Sequence, residues 1–99
     1  MAYMYILECS DGSYYVGSAR NLEHRLWLHN EGLGAEYTKR RRPVRVVFAQ
    51  HFDRVSDAFA AEKRVQGWSR KKREALISNQ LHLLPGLASR RKHRPAADD

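Results

Sequence analysis

Five side chains within the first 62 positions have types suited to a single reaction: Tyr5, Tyr15, Arg25, His29 and Glu62. A carboxylate can hold Mg²⁺, a hard cation that prefers oxygen ligands and keeps several of its waters. An arginine can stabilise the extra charge that develops on a phosphate under attack. A phenol or an imidazole can move the proton of an attacking water. Hydrolysis of a phosphodiester needs those three roles. The spacing adds weight to the types. At roughly 100° per residue, Arg25 and His29 fall within about 60° of Leu22, beside the apolar stripe that Leu22 and Leu26 define. Glu62 sits among Ala58, Ala61 and Val65, the apolar face of a later helix. Each position taken singly has an ordinary account. Tyrosines favour strands, Arg25 can snorkel past an edge, His29 can be a satisfied core histidine, and Glu62 can pair with a nearby arginine. Together, three separate elements each put a polar group where an apolar one belongs, and local rules tend to be broken at functional sites.

The elements that must position these groups begin with a hairpin. Residues 3–8 and 14–18 are aromatic and aliphatic with high strand propensity, and Cys9-Ser10-Asp11-Gly12-Ser13 between them is a turn signal. Register decides whether the tyrosines are neighbours. A two-residue Asp11-Gly12 turn pairs Cys9 with Tyr14 and sends Tyr5 and Tyr15 to opposite faces. A three-residue loop, Ser10-Asp11-Gly12 with Gly12 at positive φ, pairs Cys9 with Ser13 and sets Tyr15 across from Leu7 and Tyr5 across from Gly17. The phenols then share a face as diagonal neighbours about 7–8 Å apart at the backbone. Met4, Ile6 and Val16 form the other, core-side face. Glycine in third place suits the bulged turn, so the second register is expected.

Further along, Asn21 offers an N-cap and Gly32 a C-cap to a helix over 22–31, and residues 33–42 form a polar, basic connection. Pro43 leads into a third strand from Val44 to about Phe52. Ser56 can cap a second helix over 57–66, stopped by Gly67; Ser69 can cap a third from Arg70, ending no later than Pro85. The order β-β-α-β-α-α predicts an α/β (α+β) domain, a three-stranded antiparallel sheet flanked by helices. That domain is expected over residues 1–84, with 85–99 as a loose basic tail.

Composition bounds the function. The 99 residues, of about 11.5 kDa, allow one domain. Eighteen Lys and Arg against eleven Asp and Glu leave a net charge of +7 and a pI near 10.0, which favours a polyanionic partner, nucleic acid before an anionic membrane. No apolar run approaches the ~18–20 residues of a spanning helix, and no signal peptide is recognised at the start. The single cysteine, Cys9, rules out an internal disulfide and a cysteine zinc site and fits a reducing compartment, so a cytoplasmic protein is expected.

The motif positions also carry a resemblance. Tyr3-Met4-Tyr5 and Tyr15-Val16-Gly17 stand in the hairpin. Ser18-Ala19-Arg20-Asn21-Leu22-Glu23-His24-Arg25 with His29 stands in the first helix, and Ala60-Ala61-Glu62-Lys63 in the second. In that order they resemble the Gly-Ile-Tyr, Tyr-Ile-Gly, Arg-His and glutamate motifs of the GIY-YIG nuclease superfamily. Tyr37-Thr38-Lys39 and Gly67-Trp68-Ser69-Arg70-Lys71-Lys72 are similar to segments of its small stand-alone bacterial members. The resemblance covers about residues 3–78. It implies a divalent-metal-dependent endonuclease in which Tyr5, with help from His29, activates water. Tyr15 would position the water or the phosphate, Arg25 would stabilise the transition state, and Glu62 would hold one Mg²⁺ or Mn²⁺. Tyr3 replaces the first glycine of the family motif, at an outer position. The family often has a late supporting asparagine; here the Asn after Glu62 is Asn79, seventeen residues on.

Nucleic-acid contact is expected along the basic runs Lys39-Arg40-Arg41-Arg42, with Arg45, and Arg70-Lys71-Lys72-Arg73, and along Arg90-Arg91-Lys92-His93-Arg94 in the tail. No base-reading element accompanies them, so backbone or shape recognition is expected. Trp68 or Tyr37 offers a ring to an unpaired base, and Trp27 is expected in the core. The reading is a DNA endonuclease, by analogy on branched, nicked or flapped substrates in repair or recombination. No added recognition domain is expected in a chain of this length, so a partner protein is expected to choose its target. Its rival keeps the fold and binds DNA or structured RNA without turnover.

Overall fold

The three-residue loop forms. Gly12 adopts φ +85°, its N–H donates to the Cys9 carbonyl at 2.9 Å, and the Cys9 N–H donates to the Ser13 carbonyl at 2.8 Å. Asp11 Oδ1 braces the turn by accepting from both the N–H and the hydroxyl of Ser13. Strands β1 (Ala2–Glu8) and β2 (Tyr14–Ala19) therefore pair antiparallel, with Tyr5 across from Gly17 and Leu7 across from Tyr15. Strand β3 (Arg45–Phe52) pairs antiparallel with the other side of β1, with a bulge where Ile6 faces Phe48 but Leu7 faces Val46. The sheet order is β2-β1-β3, which makes β2 an edge strand.

This computed structural model describes residues 1–82; the expected tail over 85–99 and its basic run lie outside them. The chain divides into two compact units, Met1–Trp68 and one beginning at Ser69. The first holds the sheet, α1 (Leu22–Asn30), α2 (Glu36–Lys39) and α3 (Val55–Gln66); α4 (Arg70–His82) belongs to the second. Asn21 caps α1 as expected, its Oδ1 accepting from the His24 N–H at 2.9 Å. Ser69 caps α4 through the Lys72 N–H at 3.2 Å. Two details differ from the sequence reading. The single turn α2 interrupts the connection over 33–42, and α3 starts at Val55 with Arg54 in the cap position, so Ser56 lies inside its first turn. No helix among the described residues is long and apolar enough to cross a membrane.

Strand alternation sorts the core into two sides. Tyr5, Leu7 and Ala19 share one face and pack with Cys9, Val44, Leu22 and Leu26 under α1. Met4, Ile6 and Val16 face the other way, and α3 covers them with the fully buried Ala58, Ala61 and Val65. Trp27 does not join the core. It is 53% exposed and stacks on His24, because its position lies about 140° around α1 from Leu22 at 3.6 residues per turn.

Candidate active site

The Tyr5 phenol sits over a gap in β2. A Cβ at Gly17, the residue across the ladder, would come within 2.6 Å of the Tyr5 oxygen, so the bare glycine is what lets the ring lie there. From that position the phenol oxygen meets His29 Nε2 at 3.1 Å. His29 projects from the last turn of α1 and is 2% exposed. Its other nitrogen, Nδ1, meets Thr38 Oγ1 at 2.8 Å, and the Thr38 hydroxyl lies 3.0 Å from the Ala35 carbonyl. Tyr15, half-buried on β2, sets its ring edge-on to His29 with centroids 5.2 Å apart. Tyr37 of α2 stacks on Tyr15, and the Arg41 guanidinium lies 3.8 Å from the Tyr37 ring centroid.

Arg25 and Glu62 approach along the edge of the same strand. Arg25 Nη1 donates to the Ser18 carbonyl at 3.4 Å from the α1 side. Glu62, on α3, accepts at Oε1 from the Ser18 hydroxyl at 2.6 Å and at Oε2 from Gln66 Nε2 at 2.8 Å. Gln66 also donates to the Val16 carbonyl at 3.3 Å. Two helices thus meet at one residue of an edge strand, Ser18: Arg25 of α1 at its carbonyl and Glu62 of α3 at its hydroxyl.

The electrostatics link the five groups. Burial pushes the Tyr5 phenol up to about 12, against the opposing pull of the Arg25 charge. Burial, and then the Glu62 carboxylate, also raise Tyr15. Burial, and then the Arg25 charge, hold His29 below the ordinary imidazole value. At neutral pH the pocket therefore contains two protonated phenols and an uncharged imidazole, flanked by one guanidinium and one carboxylate.

The donor set also bears on a metal ion. Among the described residues no three His, Cys, Asp or Glu side chains lie together as a ligand cluster. Glu62 is one partly buried carboxylate that accepts from Ser18 at Oε1 and from Gln66 at Oε2, and each carboxylate oxygen has a second lone pair to offer. One carboxylate, with water and substrate phosphate as the other ligands, is an ordinary way to bind Mg²⁺. The residues present fit such an ion.

Comparison with known proteins gives the family. Residues 1–75 match the GIY-YIG catalytic domain. The chain belongs to the GIY-YIG family. Among its relatives, a UPF0213 protein of Staphylococcus saprophyticus is 47% identical over 76 residues, which cover 77% of this chain and 93% of that one. One of Streptococcus pneumoniae is 44% identical over 77 residues, covering 78% of each. Solution NMR structures of the UPF0213 protein BH0048 from Bacillus halodurans and of EF2693 from E. faecalis share the fold. The first is 42% identical with a TM-score of 0.52, covering 79% of this chain and 84% of that one. The second is 40% identical with a TM-score of 0.55, covering 82% and 85%. GIY-YIG membership puts the chain in a nuclease family whose enzymes generally use divalent metal ions.

Of the sequence-predicted GIY-YIG positions, Tyr5, Tyr15, Arg25, His29 and Glu62 are all brought to the β2 edge. The basic residues are spread elsewhere. Lys39, Arg40 and Arg42 are exposed beside α2, and Arg41 is half-buried, bonded to Asp11 Oδ2 at 3.1 Å and to the Tyr37 carbonyl at 2.8 Å. Arg70, Lys71 and Lys72 open α4 in the second unit, and the exposed Asn79 lies further along the same helix. Sequence reasoning gave no roles to Ser18, Thr38 and Gln66. Ser18 was legible as the neighbour of Gly17, and Gln66 as the residue one turn after Glu62. Thr38 gave no periodic signal, because α2 has only four residues.

Proposed function

We propose that this chain is a metal-dependent endonuclease that hydrolyses DNA phosphodiester bonds at the β2 edge. The observation that carries the reading is the 3.1 Å contact between the Tyr5 phenol and His29 Nε2, beside the Arg25 and Glu62 side chains on the same strand. A Mg²⁺ or Mn²⁺ ion held by Glu62 would supply Lewis-acid stabilisation of phosphate charge. The protein's own groups do the rest. Tyr5, with its pKa pushed to about 12, is a poor free base at neutral pH. It acts by passing its proton to the neutral His29 Nε2 as it takes one from the attacking water. The water oxygen bonds to phosphorus, the bond from phosphorus to the leaving oxygen breaks, and the leaving alkoxide is protonated by solvent. Arg25 stabilises the charge gathered on the phosphoryl oxygens, and Tyr15 orients the water or the phosphate. A cytoplasmic setting suits the buried free thiol of Cys9. Branched, nicked or flapped DNA in repair or recombination is the proposed substrate class, with a partner protein choosing the target.

The test is cleavage of supercoiled plasmid and of a four-way junction with Mg²⁺ or Mn²⁺. Cleavage should disappear with EDTA. In Glu62→Ala it should fall by roughly 10³-fold, as expected when several kcal/mol of metal stabilisation are lost, while binding persists. Binding without metal-dependent cleavage of any substrate in the panel overturns the enzyme reading. It leaves the second one, a nucleic-acid-binding module on the same fold, which the net charge of +7 favours; competition by structured RNA then identifies its ligand.

A further inference from the structure

The Tyr5–His29 contact works only if the imidazole presents a lone pair at Nε2, and neutral histidine has two tautomers. The protons around His29 decide which one is present. The Thr38 hydroxyl has a single proton, and it lies 3.0 Å from the Ala35 carbonyl, which can only accept. Given to the Ala35 carbonyl, which also accepts from the Lys39 N–H at 3.1 Å, that proton is not available to His29. Toward His29 Nδ1, at 2.8 Å, Thr38 can then offer only a lone pair, so Nδ1 must carry the hydrogen. A neutral ring has one N–H, which leaves Nε2 bare to accept from the Tyr5 hydroxyl.

The ring cannot escape this choice by turning. A Cβ at Gly34 would come within 2.5 Å of His29 Nδ1 and 3.0 Å of Cε1, so backbone is pressed against that side of the imidazole. The Tyr15 ring lies edge-on to it. The charged and titratable groups that face His29 are Tyr5 from β1, Tyr15 from β2 and Arg25 from its own helix. Of these, Arg25 can only donate, and the Tyr5 hydroxyl can donate to a bare Nε2. Thr38 itself is fully buried on a one-turn helix that is tied in place by its neighbours. Arg41 Nη1 donates to the Tyr37 carbonyl, and Arg42 donates to the Lys39 and Asn30 carbonyls.

We propose that Thr38 is the positioning residue of the site: it holds His29 in the Nδ1–H tautomer, so that Nε2 faces the Tyr5 phenol as a proton acceptor. The catalytic consequence rests on the nuclease reading above; the tautomer does not. When Nε2 takes the Tyr5 proton, the imidazolium keeps both N–H groups bonded, Nε2–H to the Tyr5 oxygen and Nδ1–H to Thr38. Without the Thr38 oxygen, the Nδ1–H form loses its acceptor and the Nε2–H form, which free histidine favours, gains ground. In that form His29 cannot receive the Tyr5 proton.

Long-range ¹H–¹⁵N correlation spectra of the imidazole nitrogens read the tautomer directly. Wild-type His29 should show the proton on Nδ1; a proton on Nε2 overturns the proposal. In Thr38→Val the spectrum should shift toward Nε2–H. The maximal cleavage rate should fall by about 10²-fold, the lower end of what general acid–base catalysis supplies, with KM unchanged. Thr38→Ser, which keeps the hydroxyl, should restore both. Retention of the Nδ1–H form and of full rate in Thr38→Val, or failure of Thr38→Ser to restore rate and tautomer, also overturns it. If Thr38→Val does not fold, the wild-type and Thr38→Ser spectra decide. If the wild type cleaves no nucleic acid, the nuclease reading falls while the spectra still decide the tautomer.

Discussion

The β2 edge and the basic segment beside α2 are built from similarly polar side chains but treat them in opposite ways. At the β2 edge, polar groups from β1, α1, α2 and α3 are brought inward. Tyr5 is 1% exposed, and each nitrogen of His29 has its own partner. In the segment over 39–42, Arg41 and Arg42 use much of their hydrogen-bonding capacity on nearby carbonyls and on Asp11, while Lys39 and Arg40 stay exposed. Buried polar groups are costly unless satisfied, so a site that gathers this many of them is specified by every neighbour that satisfies them. Exposed cations carry no such constraint. Part of the segment's arginine chemistry fastens the turn that carries Thr38, so it serves the site as scaffold as well as offering charge to a polyanion.

That contrast can be broken most sharply at Gly17. Gly17→Ala puts a methyl where the Tyr5 oxygen lies. The phenol must move, and cleavage should fall by about 10²-fold, the penalty that a misplacement near 1 Å commonly brings. Overpacking should lower stability by about 1–3 kcal/mol in the same variant. Plasmid cleavage and thermal melts check the two effects separately; a fully active Gly17→Ala separates Tyr5 from the chemistry.

Acidity probes the same buried set with a smaller effect. His29 titrates below the ordinary value near 6.5 because burial, and then Arg25, disfavour its charged form. The unfolded chain therefore binds that proton first. The stability that comes from keeping His29 neutral is complete above about pH 6.5 and is lost as pH falls toward the lower folded value. Cleavage should likewise hold through pH 6.5 and then drop about tenfold per unit once the imidazole is charged. A pH–rate profile whose acid limb lies at or above 6.5 contradicts the role given to His29.

The smallest effects separate the two kinds of arginine. Arg40→Ala should lower the salt slope of DNA binding by about 0.9 and leave the rate on saturating DNA unchanged. Arg42→Ala removes donors to the Lys39 and Asn30 carbonyls and should also lower stability, by about 0.5–1.5 kcal/mol in a thermal melt. Equal and purely electrostatic behaviour of the two variants removes the scaffold role from Arg42.

Much of this was legible in the chain itself, for identifiable reasons. Gly12 in third place of the loop fixed the hairpin register, and with it the shared face of Tyr5 and Tyr15, because only a glycine readily adopts the positive φ that this turn requires. Helical periodicity turned Arg25 and His29 inward and put Glu62 among the apolar residues Ala58, Ala61 and Val65 of α3. The same periodicity sends Trp27 outward, against the core position expected for it, because a nine-residue helix on a three-stranded sheet buries only one stripe. Thr38 and Gly34 were not legible. Their roles come from the way the irregular connection after α1 folds back on His29, nine residues from Thr38 and five from Gly34, which no helical or strand period records.

A divalent ion bound at Glu62 is the central requirement of a nuclease site at the β2 edge. Substoichiometric Mn²⁺ added to the ¹⁵N-labelled protein, followed by paramagnetic broadening of amide signals, tests this directly. Ser18, Glu62 and Gln66 should be bleached first, and Glu62→Gln should abolish the effect. Broadening confined to exposed carboxylates such as Glu36, Asp53 and Asp57, unchanged in Glu62→Gln, contradicts it.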